Sequence, residues 1–526
     1  MRVIGRAPSS SLWRTLLWLL GLGGLLAIGW LTSNGKQPFP DMGRPTASPP
    51  ALPTLQIDMK FAQYNVLLEQ RTRALEENVI LTSAKDFLPA VARVGDEVVA
   101  VQLRLMEGPA VGLTPTGKWP LELRVQEGGT LLGMQRFYLQ DPELVGGQAA
   151  VALDRVLARE GVLTARLQQV RLIFNGDDRG IYALQEGFAG PFLEAQGRSG
   201  GVIVGFDADP FWQQVAHFGG DLTAALADPV LDLGGLHYLE ADAFDDPAID
   251  RDPLLQAQRD TALGLLRALQ AGTRPASEIL DVERYARFLA LIDLWGLPER
   301  ASPLNLGFYL APGGERLEPV LSFASSFPPY PDERLSLAVT YDDPQIQIAY
   351  AQEAARVSTP AYLEELRAVF GEEFDAALWD RLAERQELIR RSLNPVRPVF
   401  AYLADPTPKS YGVLRVGVAN VTQLPAAILG FDIGGLTFVE LDPAWQCDAQ
   451  DERVAEADGV MLRAHDAGSR VRYVHFDIPL ALVAAQAKLD PHGDFTLSVA
   501  VRVAGSSERV LVPARPGTPL LLQEDE

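Results

Sequence analysis

The sequence predicts an α+β protein in successive parts: an apolar N-terminal helix, a strand-rich region that passes into a helical one, and a C-terminal antiparallel β-sandwich. Three observations support it. An apolar run at residues 16–31 is flanked by arginines. Period-two alternation between residues 98 and 206 gives way to helical spacing from 254 to 393. Short strands separated by Gly, Pro, Asp and Asn recur from residue 413 onward. A chain of 526 residues, 47% of them hydrophobic, holds two or three domains with sizeable cores, which excludes a disordered protein. The formal net charge of −22 gives a surface that repels nucleic acid and anionic lipid unless a local basic patch intervenes, and no such patch is visible along the chain. Cys447 is the only cysteine, so an intrachain disulfide and a thiolate zinc cluster are both excluded.

Residues 16–31 carry Trp18 and Trp30 near their ends and follow Arg2, Arg6 and Arg14. With residues 12–15 the run approaches the roughly 20 residues that cross a bilayer. The arginine bias places the N-terminus in the cytoplasm and the bulk of the chain outside, as a single-pass cell-membrane protein. A cleaved signal peptide is the alternative, but no small-x-small site follows the run. Residues 37–53 are rich in Pro, Ser, Thr and Gly and read as a semi-extended spacer.

Residues 61–77 have helical spacing, and Val99, Val101, Leu103 and Leu105 alternate along a strand, as do Leu121, Leu123 and Val125. The loop between these strands contains Gly108, Gly112 and Gly117 but lacks G-K-[ST] and a following helix start, so it reads as a hairpin connection. Residues 152–158 predict a short helix. Two strands then flank Asn175-Gly176-Asp177, a strong two-strand turn signal, and Glu186 stands where the return strand runs out.

That order, with Arg159 to Val162, Asn175, Gly176, Gly180, Tyr182, Leu184 and Glu186, resembles the nucleotide-binding lobe of the CotH kinase family, the spore-coat-type atypical kinases. The segments KWPLELRV and GMQRFYLQDP extend the likeness and put Lys118 and Arg124 at its basic positions. The resemblance, over residues 55–403, implies a two-lobed atypical protein-kinase-like domain. It also implies a nucleotide held by Lys118 or Arg124, with Glu186 near the inter-lobe hinge. Only Lys60, Lys85, Lys118, Lys36, Lys409 and Lys488 occur in the chain, so the ammonium that usually holds nucleotide phosphates has few sources. Lys118 and Arg124 read equally well as solvated strand-face charges.

Residues 207–252 are loop-rich and acidic, with Asp242, Asp245, Asp246, Asp250 and Asp252 in no EF-hand spacing, which reads as a solvated loop. Residues 254–269 and 282–295 predict amphipathic helices, the second capped by Asp281. Asn305, Phe308 and Tyr309 match the family's N-x-x-[FY]-Y element. Where the family has its metal-binding D-F-D, this chain has Ser322, Phe323 and Ala324; Arg300 occupies the place of the helix-end aspartate, and Glu299 is the nearest carboxylate. Asn305 and Glu299 are thus the candidate catalytic residues, and no residue is assigned to metal. Losing metal ligands and base together costs on the order of 8 kcal/mol of barrier if each removes about 10³-fold.

Residues 342–403 read as helical, with Pro360 in a first turn after Thr359. Strands from 413 onward predict the sandwich, where His465, His475 and His492 lack ligand spacing. The expected layout is a stub and anchor at 1–33, a linker at 34–54, a kinase-fold domain at 55–405 (smaller lobe 55–206, helical lobe 207–405) and a sandwich at 406–526. The expected function is that of a membrane-anchored, extracytoplasmic pseudokinase acting as a binding or envelope scaffold. Alternatives are an active kinase using ATP with Mg or Mn on envelope or secreted proteins, and a structural envelope protein that binds glycan or protein. No nucleic acid is expected as a partner.

Overall fold

The computed structural model describes residues 52–526 apart from 127, 199, 228–238, 245–248, 323–342, 372, 405–411, 436, 448–452, 457–458, 466–470, 480–495 and 517–526. Local chemistry starts the helices where the sequence suggests. Asp252, Asp281, Asp343 and Asp375 each accept a hydrogen bond from a backbone N–H of the first turn that follows. Pro253, Pro344 and Pro360 occupy first positions, where an absent N–H is harmless. At the hairpin between Leu167–Phe174 and Asp177–Glu186, Asn175 and Gly176 both have positive φ, 49° and 85°, as a type I′ turn demands.

The first layer is a closed barrel of seven strands: Thr54–Asp58, Leu88–Val94, Glu97–Leu105, Leu121–Val125, Arg136–Gln140, Asp177–Glu186 and Leu167–Phe174. Closure comes from Thr54–Asp58, which pairs antiparallel with Leu88–Val94 on one side and parallel with Leu167–Phe174 on the other. Leu55, Ile57, Leu103, Leu123 and Phe137 fill the barrel and are fully buried.

The second layer is a five-stranded sheet ordered Ala241–Ala243, Val202–Phe206, Leu306–Leu310, Leu317–Leu321 and Leu163–Thr164. Helices pack around it, centred on Val282–Trp295, whose Tyr285, Phe288 and Ile292 are completely buried. Asp293 lies at the middle of this core and accepts a hydrogen bond from Tyr350 at 2.6 Å, which satisfies a carboxylate that burial would otherwise leave costly. In the C-terminal part a four-stranded and a six-stranded sheet share one apolar core that includes Val416, Phe431, Phe476 and Val499. Val399–Leu403, inside the stretch expected to be helical, is a strand of the four-stranded sheet, and it pairs in parallel with Arg515–Pro516.

Two expectations are corrected here. The strand-rich region closes on itself, whereas a kinase-like smaller lobe was expected; the double pairing of Thr54–Asp58 removes the open edges, so the two-lobed kinase-like layout does not hold. Among the described residues no helix is long and apolar enough to cross a membrane, so the described structure does not support the expected single-pass cell-membrane assignment. The 18-residue helices Pro253–Gln270 and Ala376–Leu393 show why: each carries charged side chains along its exposed face, Arg259 and Asp260 in one, Glu384 and Arg391 in the other. The apolar run 16–31, most of the spacer 37–53, Asp245, Asp246, residues 323–327 and His492 lie outside the described residues.

The inward and outward faces of the closing strand differ in what they hold. Ile57→Ala is expected to lower the unfolding free energy by about 2–5 kcal/mol in urea titration, through the lost transfer energy and the cavity. Its neighbour Gln56→Ala, on the outer face, is expected to stay within about 0.5 kcal/mol.

Candidate functional site

The alternation that fills the barrel also sends every second residue outward. On the four adjacent strands from Glu97–Leu105 to Asp177–Glu186, one outward row reads Arg104, Glu122, Tyr138 and Gln185, each directly opposite the next. The neighbouring row sets Arg124 directly opposite Arg136. Two like charges in that register repel, and Glu122 holds them together. Its carboxylate, 2% exposed, lies 2.7 Å from Arg104, 3.0 Å from Arg124 and 2.7 Å from Arg136. Burial pushes the Glu122 carboxyl up, but the charges of Arg136, Arg104 and Arg124 outweigh it, so the group lies below its ordinary range. The guanidinium groups of Arg104 and Arg124 also sit over the Phe87 ring, 4.6 and 4.2 Å from its centre. Burial keeps the Tyr138 phenol protonated by raising it above its usual value. Three guanidinium groups thus converge on one carboxylate.

This basic wall borders a cleft of about 600 Å³. Across it, Asn305 precedes the strand Leu306–Leu310 and Ser322 follows Leu317–Leu321. The pairing of Leu306 with Leu321 therefore sets them side by side, with the Ser322 N–H donating to the Asn305 carbonyl at 2.9 Å. The Gln185 amide donates to Ser322 Oγ at 3.0 Å and ties the strand row to this end of the cleft. A third part of the lining is acidic: Glu107, Asp207, Asp209 and Asp242. Burial, then the hydrogen bond and charge of Asp209, push Glu107 up to about 9, so the Glu107 carboxyl holds its proton at neutral pH. Burial also raises Asp207, with Asp209 and Asp242 adding repulsion.

The cleft receives some of the residues expected from sequence and not others. Arg124 and Asn305 line it. Lys118 does not; its ammonium pairs with Asp141 at 2.8 Å on a half-exposed part of the barrel. Glu186 is 2% exposed and is clasped by Arg166 at 2.6 and 2.9 Å, a structural ion pair away from the cleft lining. Glu299 belongs to the turn Pro298–Ala301, and its side chain lies outside what the structure describes. Sequence reading missed Arg104, Arg136, Glu122 and Glu107. The available signal was an arginine or glutamate at the outward parity of three consecutive strands, and it acquires meaning only once the strand register is known.

No protein-family model matches the chain, and no curated protein matches it. Among the described residues, no group of three or more His, Cys, Asp or Glu side chains is placed to hold a metal ion.

Two outcomes are expected. Between the ordinary glutamate range and about pH 9 the folded chain holds one proton more on Glu107 than the unfolded chain, so this group's contribution to stability falls as pH rises and levels off above about 9. Glu107→Gln removes that dependence, and melting curves across this window should show the variant gaining on the parent up to about pH 9; a constant gap would contradict the raised Glu107 carboxyl. Arg166→Ala leaves Glu186 buried and unpaired and should cost about 3 kcal/mol in urea titration, with part recovered on adding Glu186→Gln.

Proposed function

We propose that the chain is a binding protein that holds a phosphate-bearing ligand, a nucleotide foremost, in the cleft beneath Arg104, Arg124 and Arg136, without efficient phosphoryl transfer. The observation that carries the reading is the arginine triad gathered on Glu122 in the lining of a cavity of nucleotide size. Guanidinium groups match phosphate oxygens in charge and in planar donor geometry. They are anchored by strand register, by Glu122 and by the Phe87 ring, so little freedom is lost when an anion arrives. Tyr138, Phe188, Phe206 and Trp212 lie in the same cleft and give apolar surface to a base.

The nucleotide in this reading rests on the cleft itself, whose lining brings Arg124 for phosphate together with Tyr138, Phe188 and Trp212 for a base, with Asn305 at the far side. Residue chemistry argues against turnover. Ser322 and Ala324 stand where the family has metal-binding aspartates, and neither supplies negative charge.

Thermal-shift titration of the full chain with ATP tests the reading. A ligand bound only by the folded state adds about 2.7 kcal/mol of stability at a hundred times its dissociation constant. The shift is expected to shrink in Arg124→Ala and Arg136→Ala, each weakening binding by roughly tenfold or more as a charge-assisted contact is lost. Absence of any shift would overturn the binding role, and label transfer from γ-labelled ATP to protein would overturn the claim that the ligand is held without turnover.

A further inference from the structure

We propose that the base of the bound nucleotide lies on the ring of Phe244, at the sheet-edge end of the cleft, so that the cleft selects a nucleotide over a bare polyphosphate. The inference rests on the binding role proposed above and deepens it by fixing which way round the ligand lies.

The first support is which ring a ligand can reach. Five aromatic side chains line the cleft: Tyr138, Phe188, Phe206, Trp212 and Phe244. The first four are buried, none of them more than 9% exposed. Trp212 packs edge to face against Phe211 with ring centres 4.9 Å apart, and the Arg136 guanidinium sits over Tyr138. Phe244 alone of the five is only partly buried. A ring that merely filled the core would be covered by protein, whereas this one keeps open surface in the cleft.

The second support is that the ring is held in place before any ligand arrives. Phe244 follows the edge strand Ala241–Ala243, and its N–H donates to the Ile203 carbonyl at 2.9 Å. Along the adjoining strands Gly205 lies directly opposite Gly307. A Cβ at Gly205 would stand 2.8 Å from a ring carbon of Phe244, and one at Gly307 would stand 2.8 Å from a ring carbon of Phe188. The paired glycines thus leave a bare strip of sheet on which both rings rest. The two rings meet edge to face, 5.0 Å apart at 79°. Little side-chain freedom remains for a base to remove.

The third support is continuity with the arginine wall. Phe188 follows Gly187, whose N–H donates to the Arg136 carbonyl at 2.7 Å. A Cβ at Gly187 would come within 2.8 Å of Arg136 Cγ, so the glycine lets the arginine stem pass closely. One run of contacts joins Arg136 to Phe188 and Phe188 to Phe244. Phosphates at the arginines and a base on Phe244 therefore occupy two ends of one surface. Stacking of this kind recognises bases as a class, because every base has a π-face.

The test is calorimetric titration of the full-length chain with ATP and, separately, with inorganic triphosphate. The parent is expected to bind ATP roughly tenfold or more tightly than triphosphate. Phe244→Leu keeps an apolar contact with Phe188 but removes the ring; it should bring ATP down to about the triphosphate affinity while leaving triphosphate binding unchanged. Phe244→Trp, which keeps an aromatic face, should retain the preference. Melting curves of both variants separate loss of stacking from loss of fold. Equal binding of the two probes by the parent, or an undiminished preference in Phe244→Leu, would overturn this inference and leave the phosphate-binding role standing. Binding of neither probe would overturn both.

Discussion

Closure of the barrel is the constraint on which the rest of the described structure depends. A single five-residue strand, Thr54–Asp58, satisfies both of its edges, one in antiparallel and one in parallel pairing, and so converts an open sheet into a ring without free edges. Once the ring is closed, strand parity is no longer negotiable, because a slip of one residue would carry Leu103, Leu123 and Phe137 out of the core and Arg104, Arg124 and Arg136 into it. The apolar set is therefore what fixes the position of the charged set. Energy is gained on the inner face, and the outer face inherits a geometry it does not have to stabilise by itself.

That inheritance explains how an arrangement of repelling groups persists. Arg124 opposite Arg136 is unfavourable taken alone, and Glu122 offsets it by sitting between the guanidinium groups at ion-pair distance while nearly excluded from solvent. A buried carboxylate surrounded in this way is retained for what it organises more than for net stability. Here it organises three arginines on one wall of a cleft, in a chain whose total charge is −22. Long-range attraction of an anion is therefore weak, and recognition depends on the short-range field inside the cavity, where low-dielectric walls limit screening.

The opposite wall manages the reverse problem with a proton. Glu107, just past the barrel strand Glu97–Leu105, is hydrogen-bonded to Asp209 at the start of the helix Asp209–His217. The Asn78 amide, at the end of the helix Phe61–Glu77, donates at 3.1 Å to the carbonyl of Gly219, just past the helix Asp209–His217. The cleft thus has one wall rich in fixed cations and another whose negative charge is partly titrated away.

Much of the local structure was legible along the chain. Alternation marked Leu121–Val125, Asn175-Gly176 marked the tight hairpin, and Asp281 marked the start of Val282–Trp295, because each signal depends on neighbours a few residues apart. Arg124 and Asn305 were readable as candidates through motif likeness, whereas Lys118 and Glu186 were readable as charged residues but not as partners of Asp141 and Arg166, which are 23 and 20 residues away. Barrel closure was invisible, since it joins residue 57 to residue 174 through backbone groups that every residue carries. The sequence by itself determined the elements, their polarity and the overall negative charge, all properties of composition and short-range periodicity. Only the tertiary structure decided that three scattered arginines meet on one glutamate and face a cavity, because strand register is set by long-range pairing and core packing.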